Sequence, residues 1–188
     1  MNDLTVTGGK PVGGGALKRG GGIRNEGTLR LNRCTVAGNE TDSRGGGIAN
    51  RGALVIDSST ISGNTAGAGL GGGIYSEGGS VTITNSTISG NDADSPGLND
   101  RGGGIFATGS LTLDSVTITD NFSTEGSGIY VDTADGDLTI GNTILSDNFP
   151  LATDCYFDAS GSGAVLDQGY NLFVGSDGCG FQSGVNNN

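Results

Sequence analysis

Apolar and polar residues alternate in five short segments of the chain, and this pattern predicts β-strands with one buried face. In each segment two aliphatic residues lie two positions apart, and the residues beside them are mostly polar or small. Successive side chains of a strand point to opposite faces, so a period of two places each aliphatic pair on one side. The five pairs are Leu29 and Leu31, Leu54 and Ile56, Val81 and Ile83, Leu111 and Leu113, and Leu138 and Ile140.

Two short phrases recur at nearly constant intervals and indicate that the strands belong to a repeat. Gly-Gly-Gly-Ile ends at Ile23, Ile48, Ile74 and Ile105, and Gly-Ser-Gly-Ile ends at Ile129, at intervals of 25, 26, 31 and 24 residues. The second phrase is an aliphatic residue, two further residues and an asparagine, and it closes at Asn39, Asn64, Asn91, Asn121 and Asn148. A repeat of this length cannot bury its apolar face alone and therefore stacks on its neighbours.

The repeat predicts an all-β fold, a right-handed parallel β-helix of about six coils, each with roughly 25 residues and three short strands. We expect residues 1–188 to form a single domain, with the repeated coils over about 4–148 and a C-terminal capping coil over about 149–188. The glycines of the first phrase are expected at sharp corners, where a Cβ would block the chain. The five asparagines of the second phrase are expected to stack at another corner and to hydrogen-bond along the axis as a structural ladder.

Composition and charge exclude several classes of partner. With 39 glycines and no tryptophan, the core must be thin and aliphatic. The net charge of −11 would repel nucleic-acid phosphates, and no apolar run approaches the length of a membrane span, so we expect neither nucleic-acid binding nor membrane insertion. Glu26, Arg51 and Glu77 each follow a Gly-Gly-Gly-Ile phrase by three residues, which predicts an exposed ladder of opposite charges.

Several segments resemble repeats of known secreted proteins. The runs GGGIANRGALVIDSSTISGN (45–64) and GGGIYSEGGSVTITNSTISGN (71–91) resemble the β-helix repeats of large bacterial surface proteins, including polymorphic outer-membrane protein repeats and CSLREA-domain proteins. The segment from NTILSDN (142–148) to GYNLFVGSDGCGF (169–181) is similar to the end of the β-helix in proteins with a choice-of-anchor domain. The resemblance implies an extracellular or cell-surface location and a structural or adhesive role, with an extracellular glycan or protein as partner.

One departure and the cysteines qualify this resemblance. Chlamydial adhesin repeats carry Phe-x-x-Asn, whereas this chain has aliphatic residues before its asparagines. The resemblance places Cys155 and Cys179 around the last coil of an exported protein, so we expect a disulfide between them. Cys34 is expected to remain a buried free thiol.

The main alternative is a polysaccharide-active enzyme related to pectate lyases. Asp57 and Asp114 fall in one outward row, with Thr84 between them, and a pair of carboxyls is what glycoside hydrolysis requires. The chain contains no histidine, which removes the commonest general base. We therefore expect a non-catalytic protein, without a cofactor other than a candidate Ca²⁺ ion.

That Ca²⁺ site would lie in the longest corner, between Asn91 and Gly104. Its oxygen ligands would come from Asp92, Asp94, Asn99 and Asp100. The spacing matches no EF-hand loop, and a solvated surface loop is the competing interpretation.

The outward threonines suggest one lesser alternative, and the ends of the solenoid suggest another. Thr35, Thr60, Thr87 and Thr117 stack into a flat face of short side chains, which would suit ice binding, although β-branched residues are also simply good strand formers. The ends of a solenoid expose strand edges, so end-to-end self-association into a filament is the other alternative.

Overall fold

The structure, a computed structural model, describes residues 1–12, 19–93, 95, 100–132, 136–150, 153–158, 160, 162–174, 177–180 and 184–186. In these residues the chain is all-β, without a helix, and it winds through six complete coils of three strands each between Ile23 and Val174. Strands of successive coils stack in parallel to form three long sheets. The prediction of a parallel β-solenoid with about six coils is confirmed.

The first sheet begins directly after the glycine phrases. It contains β2 (Ile23–Asn25), β6 (Ile48–Asn50), β10 (Ile74–Ser76), β13 (Ile105–Ala107), β16 (Ile129–Asp132), β19 (Cys155–Asp158) and β22 (Asp177–Gly178). The second sheet carries the alternating aliphatic pairs. It contains β3 (Thr28–Asn32), β7 (Ala53–Asp57), β11 (Ser80–Thr84), β14 (Ser110–Asp114), β17 (Leu138–Gly141) and β20 (Val165–Asp167).

The third sheet lies before the asparagine corners. It contains β1 (Thr5–Thr7), β4 (Thr35–Ala37), β8 (Thr60–Ser62), β12 (Thr87–Ser89), β15 (Thr117–Thr119), β18 (Ile144–Ser146), β21 (Asn171–Val174) and β23 (Gly184–Asn186). A fourth, two-stranded sheet joins β5 (Glu40–Thr41) to β9 (Thr65–Ala66). The strand β23 pairs antiparallel with β21, whereas the repeat predicted only parallel stacking.

The core is a narrow column of aliphatic rows inside the coils. In the second sheet Leu29, Leu54, Val81, Leu111, Leu138 and Val165 are in register, and so are Leu31, Ile56, Ile83, Leu113 and Ile140. The third sheet adds a row of Val36, Ile61, Ile88, Ile118, Leu145 and Phe173. Each row is buried only because the next coil covers it, which explains why the aliphatic residue types recur at every repeat.

The glycine phrase has two separate steric causes. Gly45 begins its phrase with a φ of +72°, a left-handed conformation that residues with a Cβ rarely adopt. Gly46 follows in close contact with the next coil, and a Cβ there would collide with the carbonyl oxygen of Gly72. The phrase is therefore a corner at which successive coils approach too closely for side chains.

Candidate functional site

The asparagine corner forms one continuous hydrogen-bonded ladder inside the molecule. Each asparagine except the last donates both its backbone N–H and its Nδ2 group to Oδ1 of the asparagine one coil later; between Asn64 and Asn91 these distances are 3.1 and 2.9 Å. The same pairs of bonds link Asn39, Asn64, Asn91, Asn121 and Asn148. All five residues are buried, and their amides also donate to carbonyl oxygens of the preceding coil. Since the ladder's polar groups bond to one another inside the solenoid, we assign it a structural role.

An aspartate ends the ladder at the last coil. The backbone N–H of Asn148 donates to Oδ1 of Asp154 at 3.2 Å. Burial raises the pKa of Asp154, and the hydrogen bonds from Asn148 oppose that rise. This residue was not predicted from the sequence, although one signal was present: Asp154 occupies the place of the last glycine in the phrase, immediately before Cys155.

Two shorter ladders occupy other corners. Asn25 donates to Asn50 Oδ1 at 2.7 Å, and Asn50 donates to Ser76 Oγ at 3.0 Å. Between the second and third sheets, the backbone N–H of Cys34 donates to Ser59 Oγ at 2.9 Å. The thiol of Cys34 is free and buried. These corners are filled by internal hydrogen bonds rather than by ligand-accessible groups.

The third sheet presents the threonine row on its outer side. Thr5, Thr35, Thr60, Thr87 and Thr117 are in register, and the next two coils continue the row with Ile144 and Leu172. Thr5 was not part of the predicted face. The hydroxyl face therefore covers five coils and becomes apolar toward the C-terminal end, where Ile144 is 40 % exposed.

The second sheet presents the candidate acidic pair on its outer side. Asn32, Asp57, Thr84, Asp114 and Gly141 are in register. Asp57 and Asp114 are therefore two coils apart, or about 10 Å. The side chain of Asp57 accepts hydrogen bonds from Asn85 Nδ2 at 2.9 Å and from Thr84 Oγ1 at 2.8 Å, and these bonds hold its pKa below the usual range. A general acid needs the opposite shift.

A depression of about 440 Å³ lies beside Asp114 on this surface. Its lining includes Thr112, Asp114, Thr139, Gly141, Asn142 and Gln168. Asn142 Nδ2 donates to Oδ1 of Asp114 at 2.7 Å. The depression thus combines a carboxylate, two hydroxyls and two carboxamides, which offer both donors and acceptors of hydrogen bonds.

The outer side of the first sheet carries an aromatic row that the sequence analysis missed. The rings of Tyr75, Phe106, Tyr130 and Tyr156 stack along the axis, with centroids 5.4, 5.4 and 4.8 Å apart. Tyr75, Phe106 and Tyr130 are each only 3 % exposed, although their side chains point away from the aliphatic core. They form a second apolar cluster, in which burial raises the pKa of Tyr130 to about 12.

Residues from the glycine corners cover these rings. Leu70 packs against the aromatic cluster, and the guanidinium groups of Arg44 and Arg101 lie 5.3 and 4.8 Å from the ring centroids of Tyr75 and Tyr130. Arg44 also donates a hydrogen bond to Tyr75 Oη at 2.8 Å. Over β10, β13 and β16 the outside of the first sheet is therefore a buried layer and leaves little area for a ligand.

The sequence matches the family described as right handed beta helix region over residues 19–188. The chain belongs to the right-handed β-helix family. This match agrees with the parallel stacking of the sheets and covers most of the chain. A search of curated proteins gave no match, and a search of solved structures gave none either.

The C-terminal end of the β-helix carries a disulfide. Cys155 is bonded to Cys179, with Cα atoms 5.6 Å apart. Cys155 lies in β19 of the first sheet, and Cys179 follows β22 of the same sheet. The bond thus attaches the segment after the last complete coil to the stack.

Only two of the four residues proposed to bind Ca²⁺ lie in the described part of the chain. Asp94 and Asn99 lie outside the described residues, Asp100 is buried, and Asp92 forms backbone bridges to Thr65 and Phe122. Within the described ranges, no group of three or more His, Cys, Asp or Glu side chains is suited to hold a metal ion. Those ranges likewise contain no helix that is long and apolar enough to cross a membrane.

The predicted charge ladder of the β-helix forms only in part. Arg51 pairs with Glu77 at 2.8 Å, and Arg19 also contacts Glu77. Glu26 instead pairs with Arg24 of its own coil at 2.6 Å. The hydrogen bond to Glu77 raises the pKa of Arg51, and the charge of Glu26 adds to that rise, so Glu26 contributes to the predicted ladder by its charge and not by an ion pair with Arg51.

Proposed function

We propose that this β-helix is a non-catalytic module displayed outside the cell, and that its second and third sheets present regular polar surfaces to an extracellular glycan or protein. The observation that carries the proposal is the hydrogen bonding of Asp57. This residue is half of the candidate catalytic pair, and Thr84 and Asn85 hold it as a charged acceptor. A carboxylate held in this way is a poor proton donor, which supports a structural role at this surface.

The separation of the two acids also disfavours catalysis. Retaining glycosidases place their carboxyls about 5 Å apart, and inverting enzymes about 6.5 to 9.5 Å apart. Asp57 and Asp114 are separated by about 10 Å, and Thr84 fills the row between them. A reacting sugar would therefore have to displace the hydroxyl that donates to Asp57.

An extracellular location is supported by the disulfide between Cys155 and Cys179, since such bonds persist in oxidising compartments. The resemblance to secreted bacterial surface repeats favours the same compartment. Rigid solenoids with short, evenly spaced outward side chains provide extended surfaces for binding.

The experiment compares turnover with binding on the same panel of polysaccharides. The purified chain is incubated with each polysaccharide, and reducing ends and unsaturated products are measured over time. Binding is measured in parallel by retention on immobilised glycans and on extracellular matrix proteins, with heat-denatured protein as the control. We expect retention by the native chain without product. Product formation that is lost in the Asp57→Asn or Asp114→Asn variant would contradict the proposal.

A further inference from the structure

The depression beside Asp114 includes one position of an outward row that lacks a side chain. Asn32, Asp57, Thr84 and Asp114 fill four successive coils of this row, and Gly141 occupies the fifth. Gly141 is not needed for a left-handed backbone, since it is absent from the residues with positive φ. A Cβ at this position would lie 3.0 Å from Gln168 Cβ, so a side chain here would crowd Gln168 in the lining of the depression.

Asp114 differs from Asp57 in how its oxygens are used. Both oxygens of Asp57 accept hydrogen bonds: Oδ1 from Thr84 and Asn85, and Oδ2 from Asn32 and Ser58. The bonds to Asp114 from Ser115 and Asn142 both end on Oδ1. In the described part of the chain, no hydrogen bond ends on Oδ2 of Asp114.

The cause of this difference is the order of side chains along the row. Thr84 lies between the two aspartates and gives its hydroxyl to Asp57. On the other side of Asp114, Gly141 has no group to donate. Asp114 therefore lines the depression with an acceptor that its own neighbours do not use.

The polar groups of the lining suit a sugar better than a metal ion. A volume of about 440 Å³ lies in the range of small-molecule sites, which is roughly 300 to 1,000 Å³, and exceeds the space that one ion needs. Ca²⁺ is bound by six to eight oxygen acceptors, whereas Asn142 and Gln168 also bring N–H donors. Neighbouring sugar hydroxyls both donate and accept, so one ring can donate to the carboxylate and accept from the amides.

Charge narrows the class of sugar. The chain carries a net charge of −11, and Asp114 is the ionisable group in the lining of the depression. An acidic sugar would bring its carboxylate against that of Asp114, and like charges repel. A neutral sugar avoids this repulsion and still donates to the carboxylate.

We propose that the depression lined by Asp114, Gly141, Asn142 and Gln168 binds one sugar unit of a neutral glycan. This inference rests on the proposed function, because it assigns a glycan subsite to the non-catalytic binding surface. Asp114 accepts hydroxyl hydrogen bonds from the sugar, and the two carboxamides position the ring.

The test is an NMR titration of the full ¹⁵N-labelled chain, followed through the side-chain amide signals of Asn142 and Gln168. The probes are methyl glucoside, methyl galactoside and methyl mannoside, with glucuronate as the acidic counterpart and CaCl₂ alone as the ion. We expect at least one neutral glycoside to shift both amide signals with saturation at millimolar concentrations, and glucuronate to shift them much less. Removing the charged acceptor in Asp114→Asn should weaken binding by about tenfold.

Two variants separate the site from the fold. Gly141→Ala crowds Gln168 in the lining and should reduce binding, whereas Asp57→Asn changes the matched aspartate of the same row and should leave the affinity within about twofold. The backbone spectrum of each variant reports whether it is folded.

The proposal is overturned if no neutral glycoside shifts the two amides, if glucuronate binds as well as the neutral sugars, or if CaCl₂ alone gives the saturable response. These results are distinct from failure of the proposed function. Release of product from a polysaccharide contradicts the non-catalytic role, whatever the titration gives. Retention on glycans without product, together with unshifted amides, keeps that role and removes only this subsite.

Discussion

The outer sides of the first and third sheets belong to the same coils but differ in their exposure to solvent. On the first sheet Tyr75, Phe106 and Tyr130 are buried beneath residues of the glycine corners. On the third sheet Thr87 and Thr117 remain partly exposed. The chain before each strand explains the difference. Only Asn85 and Ser86 separate β11 from β12, whereas the segment between β9 and β10 is long enough to place Leu70 over the rings.

The comparison teaches that connection length, and not the strand itself, decides which outer surface of this solenoid is available for binding. Large aromatic rings are tolerated outside the first sheet because a second layer removes them from water. Among the residues that the structure describes, no such layer covers the third sheet, and its outward row carries short hydroxyl side chains over five coils. Binding surfaces are therefore expected on the second and third sheets.

The largest expected effect comes from removing the central ring of the covered row. Phe106→Ala deletes the side chain that stacks between Tyr75 and Tyr130, and the loss of a buried phenylalanine costs about 3 to 5 kcal/mol. Thr87→Ala on the exposed row is the matched control and should change the free energy of unfolding by no more than about 0.5 kcal/mol. Urea unfolding followed by circular dichroism measures both. Equal midpoints for the two variants would show that the covering layer does not stabilise the fold.

The burial of the aromatic layer could not be predicted from the sequence. The repeated phrases determined the coil, the inward rows and the asparagine corner, because those features recur at each repeat and depend on contacts between equivalent residues. The rings of Tyr75 and Phe106 do recur after isoleucine, but their burial depends on how Leu70 and Arg101 fold back over the sheet. A periodic pattern contains no information about that path.

The site beside Asp114 was only partly predictable for a similar reason. The alignment of coils placed Asp57, Thr84 and Asp114 in one row, and the structure has them in register. The gap at Gly141 and the unequal hydrogen bonding of the two aspartates depend on which neighbouring side chains contact one another. Sequence periodicity specifies the position of a residue in a row but not its hydrogen-bond partner.

A smaller loss is expected when one covering arginine is shortened. Arg44→Ala removes the hydrogen bond to Tyr75 Oη and the guanidinium over its ring. A hydrogen bond and a cation–π contact are each worth about 1 kcal/mol, so the free energy of unfolding should fall by about 1 to 2 kcal/mol. Arg30→Ala, on the exposed outer row of the second sheet, is the control and should have almost no effect. If both variants lose the same stability, Arg44 stabilises the fold through its charge and not by covering the ring of Tyr75.

The stability of the protein at alkaline pH should show that Tyr130 is buried in the covered layer. Burial raises the pKa of Tyr130 to about 12, above the value of about 10 in an unfolded chain. The folded state therefore holds this proton more tightly, so the contribution to stability is fully present below pH 10 and is lost as the pH rises toward 12. The urea midpoint of the native chain should be lower at pH 11 than at pH 9, and this decrease should be smaller in Tyr130→Phe. Identical pH dependence in the two proteins would mean that Tyr130 is accessible to solvent.

The smallest effect is expected at the rim of the covered layer, where Arg51 and Glu77 form an exposed ion pair at 2.8 Å. Burial raises the pKa of Glu77, but the hydrogen bond from Arg51 and the charge of Arg19 together lower it below its usual value. Exposed pairs contribute little to stability, and the melting temperature of Arg51→Glu should fall by only about 2 °C or less at low salt. Salt at about 1 M shortens the Debye length to about 3 Å and should abolish the difference from the native chain. Scanning calorimetry at the two salt concentrations measures this, with Lys10→Glu at the separate exposed pair of Lys10 and Glu40 as a comparison. A large loss in Arg51→Glu that persists at high salt would mean that Arg51 acts by packing, as Arg44 does, and would extend the covered layer to the edge of the first sheet.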